Sequence, residues 1–333
     1  MSQADIYTKR FISQNDVFAD VFNFFLFGGE RVINPESLHD ENIEETAWIL
    51  GTDVGGKNVQ SVQKFRNVLK TAVFKNDGRT FYIMLGVENQ SSIHNAMPVR
   101  NAIYDFLQYG KQVDAIAADH RRKGFARMSG ADFLSGVTKE DRLIPVITLV
   151  VYFGAQKWDA PLSLHDMMNL DDRLSPFVPD YKINLIEPAT MSDEDIAKFA
   201  TDFGYVMLFL KHMKDKSKIM ELLSMDNSPY SKISTEAAFV LNSCANIEIN
   251  IGESKEETDM CQGIKEWVDE LIAEALTKER QRQQDAQQEA LTDFLLNTAR
   301  SLMKNLHLNE EQVLAAMEVS GSKRDMLISM LQS

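Results

Sequence analysis

The chain is predicted to be an α/β protein followed by an all-α C-terminal region. Three observations carry this prediction. Residues 68–87 hold two β-rich apolar runs around an Asn76-Asp77-Gly78 turn signal, and a helix opens at Met97. Leu143–Phe153 then has the continuous apolar character of a strand buried on both faces. Strands and helices alternate here, as in a layered α/β fold. From Ser192 onward the apolar spacing is mostly helical.

Each element has a local reason. Asp16–Phe27 reads as a helix stopped by Gly28 and Gly29. Asp16, Asp20 and Asn23 form one polar stripe on it, which either faces solvent or aims Asp20 into a polar site. Residues 30–60 are acidic and then Gly-rich, and the expectation is a loop with at most short structure. Val59–Phe74 fits a helical period loosely. Its second half, Val68–Phe74, also fits a strand running into the turn. Thr80–Val87 is short, β-branched and aromatic, which favours a strand. Pro98 stands in the first turn of the next helix, where its missing N–H costs little. Trp158–Pro161 forms a turn-rich exit from the buried strand. Glu253–Arg282 suggests a long charged helix, and the Gln-rich residues 281–290 extend or link it. Leu291–Leu306, Glu310–Val319 and Lys323–Leu331 read as a small helical unit, with Asn309 and Gln312 spaced as a capping box. The expected divisions are 1–190, 191–290 and 291–333.

The chain has 333 residues and a formal net charge of −14. That acidity weighs against nucleic acid only if it is evenly spread. Residues 191–333 carry a net −10, whereas residues 57–127 hold 12 basic and 5 acidic side chains. The basic set includes Lys57, Lys64, Arg66, Lys70, Arg100, Lys111, Arg121, Arg122, Lys123 and Arg127. Such a segment can face phosphate even in an acidic chain, although a solvated charged face is the plain alternative. Cys244 and Cys261 are too few for a disulfide framework or a thiolate zinc site, and read as reduced thiols of a cytoplasmic protein. No run reaches the roughly 20 apolar residues of a membrane span.

The hairpin places residues against each other. With the turn centred on Asp77-Gly78, Asn76 pairs with Arg79, and Asn67 falls opposite Glu88. Directly opposed residues have Cβ atoms roughly 4.5–5.5 Å apart. Gln90 shares the face of Glu88, and Lys70 lies on the other face from Asn67 by parity. Asn67, Glu88 and Gln90 thus converge on one polar spot at the end of two apolar strands. No phosphate loop, dinucleotide fingerprint, zinc-protease helix or nucleophile elbow is present. His94 and His165 read as structural or surface residues.

The ordered blocks FADVFN (18–23), RNVLK (66–70), LGVENQSS (85–92), MPVRNAIYD (97–105) and LIPVITLVVYFGAQKWDAPLSLHDMM (143–168) resemble the Rpn family of recombination-promoting, transposase-like nucleases. That family belongs to the PD-(D/E)XK nuclease superfamily. The resemblance covers about residues 9–170. It implies a mixed central sheet flanked by helices and a divalent-metal site that hydrolyses DNA, with Mg2+ or Mn2+ as cofactor. Glu88 matches the metal-binding acid, and Gln90 the position that is Lys in many superfamily members. Asp20 is the candidate for an additional metal-binding acid from the first helix. Where the family motif reads Arg-Asp-Val, this chain reads Arg66-Asn67-Val68, so an amide stands in place of the expected Asp.

Two functions follow from the resemblance. One is a metal-dependent DNA endonuclease whose chemistry is impaired at Asn67. The alternative is a catalytically inactive DNA-binding or regulatory protein on the same scaffold. Arg100, Tyr104, Lys111, Arg121, Arg122 and Lys123 are the candidate DNA contacts. The expected partners are DNA and, through the C-terminal helices, a second copy of the chain; no membrane is expected.

Overall fold

The computed structural model describes all residues except 1, 42–43, 50–59, 66, 77–78, 124–133, 225–227, 246, 248–250, 252–256 and 333. The chain begins with helices α1 (Gln3–Ile12) and α2 (Asn15–Phe27), followed by strands β1 (His39–Asp40), β2 (Glu44–Ile49) and β3 (Gln60–Phe65). Then come β4 (Val68–Asn76), β5 (Arg79–Gln90), α3 (Met97–Arg122), β6 (Val146–Tyr152) and β7 (Asn184–Ile186). The helices α4 (Asp193–Ile196), α5 (Asp202–His212), α6 (Lys216–Ser224) and α7 (Thr235–Ala245) follow, with a short ladder of β8 (Ile233–Ser234) and β9 (Glu257–Thr258). The chain ends with α8 (Cys261–Leu306), α9 (Glu310–Ala316) and α10 (Ser322–Gln332).

The central sheet has five strands in the order β1-β4-β5-β6-β7. β4 is antiparallel to both of its neighbours, β1 and β5, whereas β5, β6 and β7 run parallel. The sheet is therefore mixed, as expected. The parallel step from β5 to β6 requires a crossover, and α3 supplies it. β6 is central and parallel to both neighbours, which is why its sequence is apolar on both faces.

The hairpin register agrees with the arithmetic from the sequence. Val68 pairs with Val87 and Asn76 with Arg79, so Asn67 precedes the ladder opposite Glu88. The Asp77-Gly78 turn itself lies outside the described residues. Lys70 lies on the other face from Asn67, where its Nζ meets Asn15 Oδ1 at 2.8 Å and Asp40 Oδ1 at 2.5 Å.

One expectation about local structure is resolved and another is corrected. The expectation over residues 30–60 is a loop with at most short structure, and that over Val59–Phe74 is open between helix and strand; Glu44–Ile49 and Gln60–Phe65 pair as an antiparallel ladder, so the second segment is strand. The two strands, EETAWI and QSVQKF, are mostly polar and carry no apolar run long enough to mark them. The long helix starts at Cys261 rather than Glu253, because Glu257 and Thr258 are held in strand by Ser234 and Ile233. It then runs unbroken through the Gln-rich stretch to Leu306, since Gln, Glu, Ala, Lys and Arg are all good helix formers. Asn309 caps α9 with Gln312 in a complete capping box, as its spacing predicts.

The described structure divides into two compact units, Met1–Lys265 and Glu266–Ser333. The boundary expected at residue 190 falls inside the first. The reason is packing: Phe203 of α5 meets Phe153 edge-on at 6.2 Å, and Tyr7 of α1 stacks on Phe239 of α7 at 4.8 Å. The second unit has its own small core of Leu296, Leu314 and Leu327. Among the described residues no helix is long and apolar enough to cross a membrane.

Both cysteines are free. Burial pushes the Cys244 thiol up to about 12, and a hydrogen bond to Ser243 offsets this only in part. Native Cys244 should therefore react with iodoacetamide at pH 8 about 10³-fold more slowly than in denaturant, where an ordinary thiol pKa returns. Peptide mapping of the alkylated protein reads this directly, and equal rates would contradict the burial.

Candidate functional site

The site forms at one end of the β4–β5 hairpin, where α1 and α3 close over the strand ends. Asn67 lies immediately before β4, and its backbone N–H donates to Glu88 Oε1 at 3.2 Å. Its side-chain amide donates to the Asn89 carbonyl at 3.0 Å and to Asn89 Oδ1 at 2.5 Å. Glu88 is wholly buried (0%). Its Oε2 lies 3.0 Å from Arg100 Nη2. Arg100 stands in the first turns of α3, placed there by the helix start at Met97-Pro98.

α1 supplies the other wall. Ser2 and Asp5 form a capping box that fixes the start of the helix. Asp5 Oδ1 also accepts from Ser91 Oγ at 2.7 Å, tying α1 to the end of β5. Burial opposes charge on Asp5, but hydrogen bonds from Ser91 and Ser2 outweigh it and hold the carboxyl below its usual range. Asn89 points to α1, where its Nδ2 donates to the buried Thr8 Oγ1 at 2.6 Å. The result is a cleft of about 260 Å³ lined by Asp5, Lys9, Asn67, Asn89, Gln90 and Arg100.

The structure thus brings together Asn67, Glu88, Gln90 and Arg100. It also adds Asp5, Lys9 and Asn89, which the sequence does not point to. The Ser2-Asp5 spacing is a readable cap signal, but nothing local tells that α1 docks beside β5. By alternation Asn89 belongs to the opposite face from Glu88 and Gln90. It reaches the cleft only because α1 closes that side.

Asp20 does not join this site. Its carboxylate accepts from the backbone N–H groups of Ala200 (3.0 and 2.9 Å) and Thr201 (2.9 Å), and from Thr201 Oγ1 at 2.7 Å. It lines a separate pocket of about 490 Å³ with Asn23 and Arg31, and its oxygens are committed to fixing the chain ahead of α5. Asn23, on the same stripe, pins the following loop through Val32 N, Ile33 N and Ile33 O. Asp16, the first residue of the stripe, is exposed, whereas Asp20 and Asn23 are buried and neither faces Glu88. Asp20→Ala should therefore cost about 2 kcal/mol of stability by chemical denaturation, from lost caps to charged oxygen.

The expected DNA contacts scatter. Tyr104 is 2% exposed, with its ring 5.6 Å from Arg100 Cζ, so it packs behind the arginine and cannot meet a phosphate. This corrects its expected role; it sits one turn from Arg100 on the face that α3 turns to the sheet. Lys111 is exposed on α3, about 16 Å along the axis from Arg100 at 1.5 Å per residue. Arg121, Arg122 and Lys123 lie at the far end of the helix. Arg122 and Lys123 both pair with Asp119 at 2.6 Å, and those hydrogen bonds lower its carboxyl pKa. Lys57, Arg66 and Arg127, and the Lys64 side chain, lie outside the described residues.

A magnesium site needs several hard, preferably anionic, oxygens in near-octahedral array. Here Glu88 already faces a guanidinium, and its neighbour is an amide that donates rather than ligates. Among the described residues no three His, Cys, Asp or Glu side chains are grouped to hold a metal. The residues present do not fit the ion that the resemblance implies.

Family comparison agrees with the motifs. A model of the family described as "Putative transposase, YhgA-like" matches residues 68–235, half of the chain. The chain belongs to this family, in line with the Rpn resemblance. No curated protein and no solved structure matches the chain.

Proposed function

We propose that this protein binds DNA as a transposase-family member, on a PD-(D/E)XK-type nuclease scaffold whose hydrolytic chemistry is impaired at Asn67. One observation carries the reading: Asn67 and Glu88 face each other at the end of the β4–β5 hairpin, beside parallel strand β6 and under α3. This is where the scaffold would need its two acids, and the chain supplies one. Hydrolysis of a phosphodiester by that scaffold needs a divalent ion to activate water and to stabilise negative charge on the phosphoryl oxygens. With an amide at residue 67, the chain's own residues can orient a phosphate but lack the anionic pair. Gln90 lies on the cleft wall, where its amide can donate to a phosphate oxygen. A cytoplasmic location suits both the DNA ligand and the two free thiols.

α3 carries the remaining support. Arg100, Lys111 and Arg121 lie along its length and offer a track of positive charge to a duplex backbone. A salt titration of full-length protein on a short labelled duplex tests the reading. The plot of log affinity against log salt should be steep, with a slope of about −3 for three phosphate contacts. Lys111→Ala and Arg121→Ala should each flatten it by about one and weaken binding alike on unrelated sequences. Absence of binding at low salt would refute the proposal.

A further inference from the structure

We propose that Arg100 has taken the place of a divalent cation against Glu88, and that the cleft beside it holds a DNA backbone phosphate without any metal. This rests on the reading of the protein as DNA-binding, and adds what the site holds and how.

Glu88 is wholly buried, and a buried carboxylate needs a counter-charge. Arg100 provides one at 3.0 Å, and a guanidinium stays charged at every pH at which a protein folds. A metal that ligated Glu88 would have to displace Arg100 from a side chain that water does not reach. The second carboxylate at the cleft, Asp5, is held by the Ser2 N–H at 2.9 Å and by Ser91 Oγ at 2.7 Å. The amides are engaged too: Asn67 donates to Asn89, and Asn89 to Thr8. Both acids thus already have partners within the protein: Glu88 has the Arg100 guanidinium and the Asn67 N–H, and Asp5 has Ser2 and Ser91.

The cleft suits an anion. Lys9 lines the cleft, and among the described residues no carboxylate lies within ion-pair distance of it. The Arg100 side chain is 29% exposed. A guanidinium has five N–H donors, so pairing with Glu88 leaves others for a ligand. Gln90 adds an amide donor on the same wall. Lysine, arginine and amide N–H groups converging on a small cleft suit the anionic oxygens of a phosphodiester. The cleft, of about 260 Å³, has room for a phosphate group.

The test uses full-length protein and fluorescence anisotropy on a short duplex, once with EDTA and once with manganese. The expected affinities are equal. Lys9→Ala should weaken binding in EDTA about tenfold, the size of one lost charge-assisted hydrogen bond. Arg100→Gln alone strands Glu88 and can fail to fold, so Arg100→Gln/Glu88→Gln is the informative variant: it should melt near the wild type yet bind DNA about tenfold more weakly. A thermal melt of wild type against manganese should show no shift. DNA binding that requires manganese, or a manganese-dependent melting shift abolished by Glu88→Gln, would overturn this inference and leave the DNA-binding reading intact. Affinity that depends on a 5′-phosphate would overturn the assignment to an internal phosphodiester. No binding in either buffer would refute the DNA-binding reading itself.

Discussion

Asn67→Asp is expected to raise magnesium- or manganese-dependent nicking of supercoiled plasmid by about 10²-fold or more, the usual worth of one electrostatic stabiliser in an active site. The wild type should nick near background. The substitution puts a carboxylate opposite Glu88, where Asn67 N–H already meets Glu88 Oε1 at 3.2 Å. Glu88 is now balanced by Arg100, and Asp5 is held by hydrogen bonds from Ser2 and Ser91. A further carboxylate at residue 67 would leave the cleft with negative charge in excess, and a divalent cation would satisfy it. The same change carries a cost without metal. The Asn67 amide now donates to two acceptors of Asn89, at 3.0 and 2.5 Å. A carboxylate there would meet acceptors with acceptors. The variant should therefore melt several degrees lower in EDTA, on the scale of about 1–3 kcal/mol for a lost and opposed hydrogen bond, and recover in manganese. No gain in nicking, or a gain that survives Glu88→Ala, would show that the pair is not the site.

Removing Arg100 should produce the largest loss of stability of any single change at the cleft. Breaking a buried ion pair by deleting one partner costs about 3–5 kcal/mol, because the other charge stays behind. Glu88 is fully buried, but the Arg100 side chain is 29% exposed and partly screened, so the expected cost of Arg100→Gln is nearer ~3 kcal/mol. Converting Glu88 to Gln in the same chain removes the stranded charge. Most of the loss should then return, leaving the double variant within about 1 kcal/mol of wild type. Urea denaturation of the two singles and the double reads this cycle. A cost below about 1 kcal/mol for Arg100→Gln would mean that Glu88 does not depend on it.

These experiments bear on a site that is half legible in the sequence. The turn signal and the two-residue alternation fix the register of the hairpin, so the meeting of Asn67 with Glu88 is legible in the sequence. Pro98 marks the start of α3, and that start brings Arg100 over the strand ends. Tyr104 misleads because Arg100, Tyr104 and Gln108 share a stripe, and a polar stripe suggests solvent. α3 instead turns polar groups inward: Asp105 accepts from Thr148 Oγ1 at 2.6 Å, and Gln112 bonds Ile144 through both its amide atoms. Asp20 misleads for a related reason. An acid on an apolar helix needs a partner, but spacing cannot say which, and the partner is a backbone 180 residues away.

By itself, the sequence determined what depends on neighbours along the chain. This covers the alternation of strands and helices, the β4–β5 register, the buried character of β6, the cap of α9, and the amide where an acid is expected. Only the tertiary structure decided which surfaces meet. It placed α1 against the end of β5, gave Glu88 to Arg100, sent Asp20 to the start of α5, and joined residues 191–265 to the sheet. Hydrogen bonds within a strand pair or a helix turn follow from local spacing, whereas the partner of a buried charge is set by close packing of distant segments.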